Sequence, residues 1–469
     1  MAHAIAGAAA QAGSDDPGTQ AGASGYRVTC TVLRRLWFLF VVFFLLAAMF
    51  AIVGPLLQYV VLTFFAASHG GGDCMSAPKS EPCRLAAGDM TTYHSIVGVF
   101  VATARTVTSL TLGSLSDSIG RRAIFIFKGC LWVSAVYSLA MYQLLGVSLW
   151  TFLVIRPVAT MFDFSGVAMA LGADVFPERN LRGTAMSISI ALVMVAVLIC
   201  TVLAGVLPAN VCFVVAVTAA TVNLVFLFAF FPETATIKLS AEAQRRRGPA
   251  GAMRAAFAII TRNSFILRMA CIAVVGGVST VGTVITSLPY LTSYIGMKRE
   301  EMAGMIVLTI SSVLVTLGVF ARPVIASLGE VGTYRLCLLW GALLPAGLCL
   351  CEQPWHVILM LAVSMGPIAL QLPIVSGIKS NLVTDTEQGL VQGALAAMVN
   401  LATAVAAPLF GWMYNANTNG GASESRHAAF PSLITAAGVG MLAFLVSLTL
   451  PVRIPEPPAK ALDEAFLPQ

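Results

Sequence analysis

The stretch Gly113-Ser-Leu-Ser-Asp-Ser-Ile-Gly-Arg-Arg122 separates two long apolar runs of this chain. Nowhere else do charges and glycines lie so densely between hydrophobic segments. Glycines let two helix ends approach closely, so this stretch predicts a short loop at a membrane face. Arg121 and Arg122 would hold the loop on the cytosolic side, where basic residues are enriched. Asp117 is an acid beside basic neighbours, and it needs a hydrogen-bond donor.

The composition indicates a membrane protein. Hydrophobic residues make up 58% of the 469 residues and charged residues only 10%, whereas soluble domains carry about 25% charged residues. The mean hydropathy of +0.88 agrees with this interpretation. The net charge of +6 therefore does not indicate nucleic-acid binding.

Runs of roughly 20 apolar residues, the length that spans a bilayer, recur in two groups of six. We predict an all-α polytopic membrane protein with twelve transmembrane helices in two pseudo-symmetric six-helix bundles. The predicted spans are about 36–66, 91–112, 123–144, 148–172, 183–206, 211–231, 265–293, 302–321, 333–350, 355–377, 389–414 and 429–451.

Polar segments divide the chain further. The tail rich in Ala, Gly, Ser and Gln lacks the pattern of a signal peptide, and we predict that it is disordered and cytosolic. The predicted divisions are a tail (1–33), an N-terminal bundle (34–231), a basic cytosolic linker (232–263), a C-terminal bundle (264–451) and a cytosolic tail (452–469).

The distribution of basic residues predicts the orientation. With the N-terminus inside, 20 Lys and Arg residues fall on the cytosolic side and 5 outside, while Arg105 and Arg156 fall within spans. Cytosolic loops carry this excess, so both termini are expected in the cytosol. The protein would reside in the plasma membrane or in an organelle membrane.

Cys74 and Cys83 lie in a polar loop, whereas most of the ten cysteines fall inside apolar runs. In an oxidising compartment the two can form a disulfide. Their separation permits the bond without requiring it.

Three ionisable residues fall deep within the predicted spans: Arg105, Arg156 and Asp163. Such groups cost several kcal/mol unless they are paired or face water, so they are functional candidates. A helical spacing of seven would place Arg156 and Asp163 on one face, two turns apart. A water-filled cavity lined by Arg105, Arg156 and Asp163 would carry a net charge of +1 when Asp163 is ionised. Such a cavity would favour an anionic or zwitterionic solute. Alternatively, Asp163 simply neutralises one arginine, or it carries a coupled proton.

The C-terminal bundle has no comparable charge. Its candidates are Tyr290, Tyr294, Gln371 and Asn400. The alternative is that the two tyrosines are interface anchors and that Asn400 only bridges two helices. Gln371 lies between Pro367 and Pro373, which we expect to break the helix and to free carbonyls toward a cavity. The histidines His94 and His356 fall at outer span ends, where a solvated role is more common than a proton relay.

Here the sequence resembles a known family. Gly113–Arg122 is similar to the loop 2–3 motif of the major facilitator superfamily of secondary transporters, although Ser118 stands where a basic residue is usual. Arg156 resembles the conserved span-four arginine of that family. The stretch Gln388-Gly-Leu-Val-Gln-Gly393 resembles tetracycline-efflux and hippocampus-abundant-transcript-like drug:proton antiporters. Span five lacks the Gly-Pro motif of such antiporters, which leaves uniport and symport open.

The resemblance also implies a conformational gate. The family's acid at the position of Asp117 contacts the N-terminus of span eleven, where unpaired N–H groups and the positive end of the helix dipole lie. The gate would open when the carrier faces inward. Its predicted residues are Gly113, Asp117, Gly120, Arg121, Arg122, Arg182, Gln388, Gly389 and Gly393. The alternative is that the basic residues only anchor the loop on the cytosolic side and that Asp117 caps a helix.

These observations predict a secondary active or facilitative transporter that moves a small organic solute by alternating access, with or without proton coupling. The alternative is a non-transporting receptor or scaffold with the same fold, which has no reason to bear the desolvation cost of intramembrane charges. No nucleophile–base pair or phosphate loop indicates an enzyme. We expect no cofactor and no metal, and we expect a monomer.

Overall fold

The computed structural model describes residues 37–162, 179–234, 263–382 and 385–451, together with the separate positions 34, 167, 171, 175, 258, 260 and 261. All regular secondary structure in this part of the chain is helical. Seven of its helices are long and apolar enough to cross a membrane, or eight if one bent pair forms a single span. The prediction of an all-α polytopic membrane protein is confirmed, and the number of twelve spans stays a prediction.

The first helix group, residues 37–234, begins with a bent pair. Its two helices meet at an angle of 40°, and Pro55 stands in the first turn of the second helix, where a missing N–H costs nothing. The helices are α1 (Trp37–Ala51), α2 (Gly54–Ala66), α3 (Glu81–Ile119), α4 (Arg121–Leu145), α5 (Trp150–Met161), α6 (Arg179–Val206) and α7 (Ala209–Ala229).

The second helix group, residues 263–451, contains two π-helical turns, Tyr290–Ile295 after α8 and Thr316–Phe320 after α9. Leu370 separates α11 from α12, between Pro367 and Pro373, as two nearby prolines predict. The helices are α8 (Ser264–Pro289), α9 (Arg299–Val315), α10 (Ala321–Leu350), α11 (Pro354–Ala369), α12 (Gln371–Leu382), α13 (Asp385–Thr418) and α14 (Phe430–Ser447).

The predicted loop over Gly113–Arg122 is not observed. α3 remains helical to Ile119 and α4 begins at Arg121, so Gly120 alone reverses the chain. Its φ of +97° lies in the left-handed region, which glycine enters at little cost. A Cβ at this position would also collide with the carboxylate of Glu233. The ten-residue loop was therefore a wrong prediction, because one glycine suffices for the turn and the other residues continue the helix.

A second glycine breaks the other helix group in the same way. Gly329 interrupts α10 with a φ of +70° and a ψ of 171°. It lies between the segments predicted as spans eight and nine, as Gly120 lies between spans two and three. The shared break supports an internal repeat of the helix groups.

The two helix groups meet most closely along α3 and α13, where small residues allow close packing. A side chain at Gly98 would clash with Ala407, and one at Gly411 would clash with Ser95. Further along α3, Gly88 contacts the backbone of Gly420 at the end of α13.

At one end of the molecule, hydrogen bonds join the two helix groups. We call it the disulfide end, and it comprises residues 67–80, 296–298 and 419–425. Among the described residues, the hydrogen bonds that join the two helix groups lie at or near it. They are Tyr59 to the carbonyl of Met297, Arg84 to Glu424 at 3.3 Å, Asn415 to Thr92 at 2.7 Å and to the Gly88 carbonyl at 3.3 Å, and Arg299 to the carbonyls of Ala204 and Leu207.

Candidate functional site

Cys74 and Cys83 form a disulfide in the loop between α2 and α3, with their Cα atoms 5.6 Å apart. The pairing that the sequence left open is thus made in the structure. The loop it closes contacts the second helix group, because Lys79 packs against Gly296. The disulfide therefore stiffens one wall of the closed end.

Helix α5 ends inside the predicted fourth span. It stops at Met161, and Phe162 has extended dihedral angles (φ −91°, ψ 107°). The continuous helix that was expected to place Arg156 and Asp163 on one face is therefore not observed, and Asp163 itself lies outside the described residues. Pro157 within α5 contributes no N–H, which frees the carbonyl of the residue four positions earlier.

That free carbonyl belongs to Leu153, and a side chain from another helix replaces the missing N–H donor. The hydroxyl of Tyr93 on α3 donates to the Leu153 carbonyl oxygen over 2.5 Å. A backbone group without a partner inside a membrane costs several kcal/mol. The Tyr93 bond avoids this cost and fastens α3 to α5.

Two cations and a hydroxyl satisfy the last carbonyls of α5. Lys128 Nζ donates to the carbonyl oxygens of Ala159 and Phe162, both over 2.6 Å. Arg105 Nε donates to the carbonyl oxygen of Thr160 over 2.6 Å, and Thr108 Oγ1 donates to that of Met161 over 2.9 Å. Positive charge is favourable at a helix C-terminus, where the carbonyls carry partial negative charge. Arg105, predicted for the solute pathway, thus holds a helix end.

Sequence reasoning missed Lys128. Its charge was counted with the cytosolic residues, although it lies seven residues after the start of α4 within an apolar run. Its ammonium also lies 5.1 Å from the centroid of the Trp132 ring. The available signal was the position of a lone lysine more than a turn inside a predicted span.

Arg156 has a different environment from Arg105 and Lys128. It makes no hydrogen bond or ion pair with any residue that the structure describes. Its guanidinium carbon lies 5.9 Å from the centroid of the Phe152 ring, and its charge interacts electrostatically with Tyr93 and His94. Arg156 is partly buried, and its role in a solute pathway stays a prediction.

The candidates of the second helix group fall into two kinds. Tyr290 is fully buried and donates to the Cys351 carbonyl over 3.2 Å, and its ring stacks on Tyr294 with centroids 6.2 Å apart. Both tyrosines belong to an apolar core. Gln371 and Asn400 are partly buried and bond to no described residue. The two amides thus keep free hydrogen-bonding capacity.

The end of the molecule around Gly120 holds a carboxylate cap that the sequence did not reveal. Glu233 follows α7 and accepts hydrogen bonds from the backbone N–H groups of Arg121 over 2.9 Å and Arg122 over 3.1 Å. An acid at a helix N-terminus is favourable. The Arg122 guanidinium in turn donates to the Phe228 carbonyl at the end of α7.

The predicted gate through Asp117 stays a prediction. Gly113 and Gly393 lie within α3 and α13. The side chains of Asp117, Arg182 and Gln388 lie outside what the structure describes, as does the environment of Gly389.

Comparisons with known proteins agree with this architecture. Residues 39–335 match the family model of the Major Facilitator Superfamily. No curated protein sequence matches the chain.

Several solved structures share the fold. The human organic anion transporter MFSD10 (TETRAN) is 18% identical, with 88% of this chain and 99% of that chain covered and a TM-score of 0.61. A D-xylose-proton symporter is 15% identical, with 91% and 99% covered and a TM-score of 0.61. A single-residue mutant of the nucleoside transporter NupG is 12% identical, with 89% and 99% covered and a TM-score of 0.61.

The family match spans more than half of the chain, and the helical architecture agrees with it. The alternative of a receptor or scaffold is not favoured, since the structures similar to this one are those of carriers. The chain belongs to the Major Facilitator Superfamily and is a solute transporter, not an enzyme.

Proposed function

We propose that this transporter moves a small organic anion, or a zwitterion through its anionic group, by alternating access. The observation that carries the proposal is Arg156, a cation within the predicted fourth span that bonds to no described residue. A charge in this position is costly unless it meets a counter-charge or water. A solute anion supplies the counter-charge at the moment of binding.

The other cations of the first helix group are already engaged. Lys128 and Arg105 lie against the carbonyl end of α5, where the helix dipole compensates part of their charge. Of these three cations, Arg156 is therefore the one whose charge is least compensated and can best attract a solute anion. The similarity to an organic anion transporter is consistent with this assignment but reflects the fold alone.

The closed disulfide end supports alternating access. Its hydrogen bonds join the two helix groups across their interface, and they must break for a solute to pass that end. The loops at the opposite end carry the excess of basic residues, which is typical of the cytosolic side. We therefore assign the disulfide end to the non-cytosolic side and both termini to the cytosol. The carrier acts as a monomer with two bundles, residues 34–231 and 264–451.

Coupling and direction form a separate proposal. Asp163 is the candidate proton carrier. The resemblance of residues 388–393 to drug:proton antiporters favours efflux, whereas the missing Gly-Pro motif of span five favours uniport or symport. Replacing Asp163 with Asn should remove the pH dependence of transport if the proton is coupled there. An unchanged pH profile would leave a carrier without proton coupling at this residue.

Counterflow in proteoliposomes tests the proposed function. Vesicles loaded with an unlabelled organic anion should accumulate the labelled anion transiently, which a scaffold or receptor does not do. The panel comprises benzoate, lactate, glucose and a cationic amine. Exchange of glucose or the amine without exchange of any anion would overturn the anion assignment.

A further inference from the structure

His94 lies at the junction that holds Arg156. Tyr93, its neighbour in α3, donates to the Leu153 carbonyl of α5, and Arg156 stands three residues after Leu153. The rings of Tyr93 and His94 lie with centroids 5.4 Å apart. The junction thus brings the imidazole of His94 and the guanidinium of Arg156 within electrostatic reach of each other. Sequence reasoning had assigned His94 to a solvated span end, whereas in the structure it is partly buried.

Neither side chain is satisfied within the protein. His94 and Arg156 form no hydrogen bond or ion pair with a described residue. Buried polar side chains are nearly always hydrogen-bonded, and the exceptions require an explanation. His94 and Arg156 are each partly buried and lie on the two helices that the Tyr93 bond joins, and both can donate an N–H to the same acceptor.

We propose that His94 and Arg156 together bind one carboxylate group of the solute. The guanidinium donates to the carboxylate with its planar set of N–H groups, and the imidazole donates one N–H to the second oxygen. Tyr93 acts as a positioning residue, because its bond to Leu153 sets the distance between the two helices. This inference rests on the proposed function and narrows the solute to a class.

That class is the monocarboxylates. Arg105 and Lys128 have N–H groups bonded to backbone carbonyls of α5, whereas Arg156, the third of these cations, bonds to no described residue. One available positive charge matches one carboxylate. A second carboxylate bound beside Arg156 would be desolvated without a partner, which is costly. Dicarboxylates should therefore bind more weakly than monocarboxylates of similar size.

The test uses the purified full-length protein and measures thermal stabilisation and counterflow with three probes: benzoate, its methyl ester and phthalate. The variants are His94→Phe, His94→Gln and Arg156→Lys. The control is His356→Gln, since His356 accepts only a backbone N–H at the end of α11. His94→Gln keeps a donor and guards against a folding defect in His94→Phe.

We expect benzoate to stabilise the wild type and the ester and phthalate to stabilise it much less. His94→Phe should weaken benzoate binding roughly ten- to a hundredfold, the effect of one hydrogen bond to a charged group. His94→Gln should retain most of the affinity, Arg156→Lys should lose more than His94→Phe, and His356→Gln should match the wild type.

Two results would overturn this inference and leave the proposed function standing, and a third would overturn both. If Arg156→Lys abolishes benzoate exchange while both His94 variants bind benzoate as the wild type does, the shared carboxylate site is wrong and anion transport stands. If phthalate binds as tightly as benzoate, the restriction to monocarboxylates is wrong. If no anion of the panel binds or exchanges, the proposed function itself fails.

Discussion

The two helix groups share a framework and differ in charge. In each, a glycine with positive φ, Gly120 or Gly329, separates two long helices. In each, an arginine after that glycine caps the C-terminal end of the group's last helix. Arg122 donates to the Phe228 carbonyl, and Arg335 donates to the carbonyls of Ser447 over 3.2 Å and Leu450 over 2.7 Å. Repeated backbone breaks and caps are what a duplicated helix unit retains.

The interiors have diverged. The first group places three cations, Arg105, Lys128 and Arg156, on or beside one short helix, whereas the candidates of the second group are the uncharged Gln371 and Asn400. The Gly120 break is also capped by Glu233. At Gly329 the following acid, Glu330, leaves its Oε2 atom buried without a hydrogen bond. Both groups therefore share the same backbone arrangement, but the candidate charges that would bind a solute all lie in the first group.

The largest effect is expected from Lys128→Met. This change removes the donor from the carbonyls of Ala159 and Phe162, and each buried unsatisfied group costs about 1–3 kcal/mol. The free energy of unfolding should fall by roughly 2–6 kcal/mol, and thermal unfolding in detergent measures it. Lys128→Arg, which keeps the charge and the donors, is the control. A Lys128→Met protein as stable as the wild type would show that the carbonyls find other partners.

A smaller effect should distinguish the two glycines. Gly120→Ala faces both a strained φ and a clash with Glu233, whereas Gly329→Ala faces the strained φ alone, because nothing lies within 4 Å of its Cβ position. A strained φ costs on the order of 1–3 kcal/mol, so both variants should lose stability. Gly120→Ala should lose more in the same unfolding measurement. Equal losses would show that the Glu233 side chain moves aside freely.

The smallest effect is expected from Glu233→Gln. The amide keeps an acceptor for the N–H groups of Arg121 and Arg122 but loses the charge that favours a helix N-terminus, a change of about 0.3–1 kcal/mol. Thermal unfolding at low salt should show this loss. Glu330→Gln should be neutral or stabilising, since it removes a charge from a buried atom without a partner. A larger loss for Glu330→Gln would reverse the comparison between the two breaks.

Sequence alone was sufficient for the class of the protein but not for its local geometry. Composition predicted the membrane helices, and the prolines predicted the break at Leu370. The end of α5 could not be predicted, because its cause is tertiary. The last carbonyls of α5 accept hydrogen bonds from Lys128, Arg105 and Thr108, which belong to two other helices. For the same reason Lys128 escaped notice, since its carbonyl partners exist only where that helix ends.

The central claim is that Arg156 supplies the charge that binds the solute anion. Counterflow of labelled benzoate into proteoliposomes, compared between the wild type and Arg156→Gln, tests it most directly. We expect rapid exchange by the wild type and exchange near the background of empty vesicles for the variant. Thermal stability should be unchanged or higher, because Arg156 bonds to no described residue and an uncompensated charge within a span is costly. An Arg156→Gln protein that exchanges benzoate as fast as the wild type would contradict it.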